Sequence, residues 1–197
     1  MLEFEKKVLL TQAEYESLMN LSSSNTACFV QTNYYYDSDG FDMNRQGITC
    51  RIREKGGKWT ATIKKHEYCE GGGNLEQSAE VSSMWDDSFF SSLNVIFQGK
   101  LTTKRTILYG GNGLEVVLDA NTYLDTQDYE LEIEYSSANA NHAEFVLRLL
   151  EELLQAQMEY DNNMNFSMRT RFAQSKSQRF FERKKLQNKK RGYKNGM

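Results

Sequence analysis

The segment DYELEIE, residues 128–134, places Glu130, Glu132 and Glu134 on one parity and Leu131 and Ile133 on the other. Successive side chains of an extended chain point to opposite faces, so this is a strand with one acidic and one apolar face. The N-terminal EFEKK, residues 3–7, repeats the device with Glu3, Glu5 and Lys7 on a shared face. Arg51 and Arg53 alternate in the same way around Ile52, and Lys64 follows in the next segment.

One charged face alone is ordinarily the solvent side of a sheet. Rows of same-sign charges repel one another, however, and an exposed sheet is cheaper to build from mixed signs or Thr. Several such strands, with acids and bases separated, point to a site in which carboxylates gather in one place and cations in another. Hard divalent cations take carboxylate oxygen, while phosphate oxygens take guanidinium forks and ammonium groups. The pattern therefore suits a metal-bound polyphosphate, with an anion-binding barrel lacking catalysis and an ordinary sheet as the other readings.

Outward from these segments, alternation and turn residues predict strands near 2–10, 28–37, 47–55, 58–66, 74–82, 101–109, 113–120 and 128–136. Gly56-Gly57 and the GGNG of 110–113 read as tight hairpin connections. Thr11-x-x-Glu14 reads as a capping box opening a helix, a second helix is predicted near 86–95, and a third at 141–160. In the last, Asn141-x-x-Glu144 would cap a stripe through Phe145, Leu149 and Leu153 that buttresses the sheet. Eight hairpin-joined strands imply a mainly β (α+β) fold, an eight-stranded antiparallel sheet or barrel with flanking helices, and if the sheet closes the barrel is wide enough inside for one small ligand.

Length and composition agree: 197 residues, 39% hydrophobic and 26% charged, suit one globular domain. No apolar run approaches a membrane span and no export signal opens the chain, so a cytoplasmic location is expected. Cys28, Cys50 and Cys69 match no zinc spacing and are expected as packing residues or free thiols. The net charge of −3 divides unevenly: residues 179–197 carry eight Lys or Arg against one Glu, leaving −10 for residues 1–178. So acidic a body disfavours nucleic acid as partner. The basic end reads as a solvated helical end or a weak polyanion-binding tail. His66 and His142 fall on a strand end and a helix start, and no histidine base is expected.

The order of motifs resembles the CYTH domain family, the triphosphate tunnel metalloenzymes. The resemblance runs from the ExExK of residues 3–7 through YYYDS (34–38), GITCRIR (47–53), KWTATIKK (58–65), LTTKR (101–105), LDA (118–120) and DYELEIE (128–134) to SKSQRFF (175–181). It covers nearly the whole chain, in the style of the small bacterial members. Two places depart: Ser38-Asp39 stands where the family often has Thr-Pro, and either Glu76 or Glu80 matches the family's glutamate in that segment.

The resemblance implies a tunnel domain over residues 1–181 with a basic tail at 182–197, and Mg²⁺ or Mn²⁺ as cofactor. Glu3, Glu5, Glu130 and Glu132 would hold metal, with Asp119 and Glu76 completing or orienting the acidic side. Lys7, Arg51, Arg53, Lys64, Arg105 and Lys176 would clamp phosphate oxygens, and Glu3, Glu5 and Lys7 form the catalytic set. Lys65 and Lys104 alternate outward, and Glu134, at its strand end, reads equally as a rim charge or a ligand and is left out of the metal set. The implied activity is metal-dependent hydrolysis of a triphosphate, inorganic triphosphate foremost. Thiamine triphosphate hydrolysis, cyclisation of ATP as in class IV adenylyl cyclases, and non-catalytic nucleotide or polyphosphate binding are the alternatives. The partner is a small-molecule triphosphate or nucleotide, no membrane is involved, and a homodimer is compatible.

Overall fold

In the computed structural model, residues 3–22, 26–66, 74–160 and 173–194 are described. The chain opens with strand β1 (Glu3–Leu10) and helix α1 (Gln12–Met19). The capping box forms as predicted: Glu14 N donates to Thr11 Oγ1 at 3.3 Å and Thr11 N to the Glu14 carboxylate at 2.7 Å. Strand β2 (Cys28–Asp37), a one-turn helix α2 (Asp42–Arg45), β3 (Ile48–Lys55), β4 (Lys58–His66) and β5 (Asn74–Val81) follow. Then come β6 (Ile96–Gly111), β7 (Leu114–Tyr123), β8 (Thr126–Ser136) and the helices α3 (Ala140–Tyr160) and α4 (Lys176–Lys194).

All eight predicted strands are present, in one antiparallel sheet ordered β1-β8-β7-β6-β2-β3-β4-β5 and flanked by helices. Among the described residues this ladder ends at β1 and β5. Between β3 and β4, Lys55 pairs with Lys58, so Gly56 and Gly57 alone make the turn. Their φ values of 59° and 78° are those of a type I′ hairpin, a conformation that only residues without a β-carbon adopt cheaply.

Two compact units make up the chain. The first comprises residues 1–29, 103–121 and 127–173. Its core joins Val8 and Leu10 of β1, Leu18 of α1, Leu118 of β7 and Leu131 and Ile133 of β8 to Ala143, Leu147, Leu150 and Leu154 of α3. The buried face of α3 is therefore not the predicted stripe. Phe145, Leu149 and Leu153 are 56%, 44% and 44% exposed, because the face with the small Ala143 permits the closer approach to the sheet. Nor does Asn141 cap this helix: Ala140 is already helical, and Glu144 pairs with Lys6 at 3.1 Å.

The second unit comprises residues 30–102, 122–126 and 174–197. One cluster gathers Tyr36, Cys50, Ile52, Ala61 and Phe90, where burial pushes the Cys50 thiol up to about 12, aided by Asp37. The other gathers Tyr35, Phe41, Leu101 and Tyr123 around Phe180 and Phe181 of α4. These two rings anchor the basic C-terminal helix, with Arg183 Nε donating to Asp125 at 2.7 Å and Lys184 Nζ to the Gln98 carbonyl at 2.8 Å. Cys28 is exposed, and Cys69 lies outside the described residues.

The helix predicted near 86–95 is absent: only a 3-10 turn, Asp87–Phe90, forms there. The Asp86 carboxylate accepts from Ser82 N, Ser82 Oγ and Ser88 Oγ, and such local bonds compete with helix propagation. Strand β6 accordingly starts at Ile96, five residues before the predicted strand.

Gly99 in β6 has φ 145°, and a β-carbon there would lie 2.9 Å from Phe180 Cζ. The Phe180 ring has little room to yield, since Tyr35 and Phe181 lie at 4.8 and 5.2 Å between centroids. Gly99→Ala is expected to destabilise the fold by about 2 kcal/mol through backbone strain and overpacking. Chemical denaturation measures this, and an unchanged midpoint would refute the packing argument.

Candidate active site

In the first unit the polar faces of β1 and β8 meet in register: Lys7 is opposite Glu132, and Glu5 opposite Glu134. Leu131 and Ile133 point into the apolar core, which fixes Glu130 and Glu132 on the other face. Asp119, Glu130 and Glu132 are 0%, 0% and 2% exposed, and each offers an oxygen within 4.8 Å of the others. Buried carboxylates so close repel strongly unless cations accompany them.

Two cations do. The Arg105 guanidinium donates to Asp119 through Nε at 2.9 Å and a terminal nitrogen at 2.7 Å; it also contacts Glu132, and reaches Glu134 at 3.3 Å. Lys7 Nζ lies 2.9 Å from Glu5 and 3.0 Å from Glu132. Burial works against the charge on Lys7, but Glu132 and Glu5 outweigh it and hold the ammonium above its ordinary pKa. Arg105 follows the same pattern, burial opposing and Asp119 and Glu132 prevailing. Burial, and then the Glu132 charge, raise the Glu134 carboxyl above its ordinary value against the pull of Arg105.

The same face continues into a polar network. Thr103 Oγ1 donates to Asn121 Oδ1 at 2.6 Å, and Asn121 Nδ2 donates to Asp128 at 3.0 Å. Sequence reading made none of these three a candidate site residue, although each continues the two-residue period from Arg105, Asp119 or Glu130.

In the second unit the sign is reversed. Arg51 and Arg53 of β3 share a face because Cys50 and Ile52 point into the core. Arg53 Nε donates to Asn33 Oδ1 at 3.0 Å, while Arg51 lies 3.9 Å from Glu76. The Arg51 Nε is buried and has no hydrogen-bond partner among the described residues. Thr49 is opposite Lys64, and Lys64 opposite Glu76, so all share this face. Thr49 Oγ1 lies 3.0 Å from Ser177 Oγ, which brings the first turn of α4, begun by the half-buried Lys176, onto it. Glu80, opposite Thr60, has the same parity as Glu76, so the face admits both.

Of the residues picked out by sequence, the first unit thus unites Asp119, Glu130, Glu132, Glu5, Lys7 and Arg105. The backbone of Glu3 pairs with Ser136, and its side chain lies outside those described. Glu134, left out of the metal set, is a partner of Arg105, and Arg105, picked for phosphate, is engaged by carboxylates. Glu76 belongs to the second unit, beside Arg51. Lys65 and Lys104 are exposed, as the alternation requires. The oxygen-only, fully buried donor set of Asp119, Glu130 and Glu132 fits a hard divalent cation.

A family model described as "CYTH domain" matches residues 1–162. The curated protein "Putative triphosphatase YjbK" of Bacillus subtilis is 28% identical over 201 residues, covering 93% of this chain and 96% of its own. Among solved structures, a "putative adenylate cyclase" from Bacillus halodurans superposes with a TM-score of 0.62 at 22% identity, over 91% of this chain and 97% of that one. HpAC1 from Hippeastrum, described as a "putative adenylyl cyclase" that reveals a dominant triphosphatase activity, gives 0.58 at 20% identity over 79% and 87%. No described helix is long and apolar enough to cross a membrane.

Proposed function

This chain belongs to the CYTH domain family, and from that premise we propose that it is a metal-dependent triphosphatase acting on inorganic triphosphate in the cytoplasm, through residues 1–181. The observation that carries this reading is the buried Asp119, Glu130 and Glu132 cluster, charge-balanced by Lys7 and Arg105. A protein that only bound anions would gain nothing from three buried carboxylates, whose desolvation costs several kcal/mol each. The name of the Bacillus subtilis relative points to the same chemistry.

Glu3, Glu5, Asp119, Glu130 and Glu132 are the proposed ligands of Mg²⁺ or Mn²⁺. A divalent ion held there would neutralise phosphate oxygens and lower the pKa of a water molecule. Lys7 and Arg105 balance the charge of the carboxylates, and would be free to face phosphate where a divalent ion takes those carboxylates. Arg51, Arg53, Lys64 and Lys176 are the remaining phosphate clamps: the buried Arg51 Nε, without a partner among the described residues, is a donor that an anionic oxygen satisfies. Glu76, beside Arg51, orients that guanidinium. The reaction is attack of water on a terminal phosphorus, with positioning and electrostatics supplying the acceleration.

The deciding experiment incubates the purified protein with inorganic triphosphate, thiamine triphosphate and ATP, each with Mg²⁺ or Mn²⁺, and measures phosphate and cyclic AMP. Phosphate released fastest from inorganic triphosphate is the expected result. No turnover of any substrate would sink the reading, and cyclic AMP as main product would replace it with a cyclase. Lys65→Ala and Lys104→Ala, at exposed positions, are expected to leave kcat/KM within about twofold, as surface substitutions do.

A further inference from the structure

Asn33 of β2 stands opposite Arg53 in the ladder, and Tyr35, two residues on, stands opposite Arg51. Alternation along β2 separates Tyr34 and Tyr36, which pack with Cys50 and Ile52, from Gln31, Asn33 and Tyr35. Residues directly opposite share a face, so Asn33 lies on that of Arg51 and Arg53. It is a neutral side chain in a cationic row, and it is 1% exposed.

Only one end of this amide is used within the protein. Asn33 Oδ1 accepts from Arg53 Nε at 3.0 Å, and because a guanidinium can only donate, the contact identifies the oxygen. The Nδ2 group at the other end donates to no partner among the described residues. A buried amide kept for structure alone is normally satisfied at both ends. Arg51 Nε is a second buried donor on this face without a partner among the described residues. Arg51 is the diagonal neighbour of Asn33 across the β2–β3 ladder, a separation of about 7–8 Å that long side chains and one phosphate chain can span.

The bond to Asn33 also decides how Arg53 can bind an anion. A guanidinium offers one fork made of Nε with a terminal nitrogen and another made of the two terminal nitrogens. With Nε engaged by Asn33, the fork that Arg53 can turn to phosphate is the terminal one. Resting on the reading of this face as a phosphate clamp, we propose that Asn33 is a further triphosphate-binding residue, positioning Arg53 through Oδ1 and donating from Nδ2 to a phosphate oxygen. A third cation beside the two arginines would add to their mutual repulsion, whereas an amide holds one guanidinium and supplies a donor without charge.

The test measures binding rather than turnover, by calorimetric titration with Mg²⁺ and the imido analogue of triphosphate, whose P–N–P bridges resist hydrolysis. Asn33→Leu, close in volume but without donor or acceptor, is expected to bind the analogue about 30-fold more weakly, as loss of hydrogen bonds to charged groups requires. Its Mn²⁺ affinity without the analogue should be unchanged. Asn33→Thr, a residue that suits a strand, should weaken binding in the same direction and keeps the test open should the leucine variant misfold. In an Arg53→Met background the cost of Asn33→Leu should shrink to about threefold, because the positioning effect disappears with the guanidinium. Analogue affinity within about twofold of wild type in a folded Asn33 variant overturns the proposal, and so does an equal loss in the two backgrounds, the mark of independent sites. Because phosphate release is not the readout, a protein that binds the analogue with this dependence yet turns over no substrate would uphold the role of Asn33 and sink only the triphosphatase reading.

Discussion

Glu132→Gln is expected to lower kcat/KM for inorganic triphosphate about 10³-fold, equivalent to about 4 kcal/mol of transition-state stabilisation. Glu132 is 2% exposed, faces both Lys7 and Arg105, and belongs to the buried carboxylate cluster. The amide keeps the shape but removes the charge on which metal binding depends. Calorimetric titration with Mn²⁺ should show weakened binding alongside the lost turnover. The fold should survive, because Lys7 retains Glu5 and Arg105 retains Asp119 and Glu134. Glu134→Gln is the internal comparison: its side chain is 36% exposed and it lies outside the three-carboxylate cluster, so its loss should stay within about tenfold. Equal losses in the two variants would mean that the three-carboxylate cluster is not the metal centre.

Arg51→Lys should be the most damaging change on the cationic side, with kcat/KM falling about 10²-fold and much of the loss appearing in KM. The Arg51 side chain is 20% exposed and its Nε is buried without a partner among the described residues, whereas Arg53 Nε donates to Asn33. A lysine preserves the charge but offers no fork, so it cannot satisfy two phosphate oxygens at once. Mn²⁺ affinity in the absence of triphosphate should be unchanged, which separates this variant from Glu132→Gln. Undiminished kcat/KM in Arg51→Lys would exclude a bidentate role for this residue.

Much of this site was legible from alternation alone. In β1, β3 and β8 the charged parity of the sequence is the polar face of the structure, because Val8, Ile52, Leu131 and Ile133 are held in cores by burial. Residues whose partners lie far along the chain were harder to read. Parity places Glu5 and Glu132 on faces that meet, yet the side chain of the first is 41% exposed and that of the second is buried. Depth within a sheet depends on what covers it, which no local pattern encodes. The same limit explains α3: two apolar stripes were available on one helix, and only packing against β7 and β8 selected Ala143, Leu147, Leu150 and Leu154. The missing helix at 86–95 has a local cause that periodicity overlooks, the Ser82–Asp86–Ser88 hydrogen bonds.

By itself, the sequence determined the eight strands, the faces on which their charges lie and the family to which the chain belongs. Alternation and turn chemistry are set by covalent geometry within a few residues. Only the tertiary structure decided that Arg105 of β6 binds Asp119 of β7 and Glu132 of β8, and that Lys7 of β1 closes the group from the other side. Those contacts depend on the strand order β1-β8-β7-β6, which brings residues more than a hundred positions apart in the chain to within 3 Å. Such an arrangement is stable only where the burial of several carboxylates is compensated together by cations drawn from different strands.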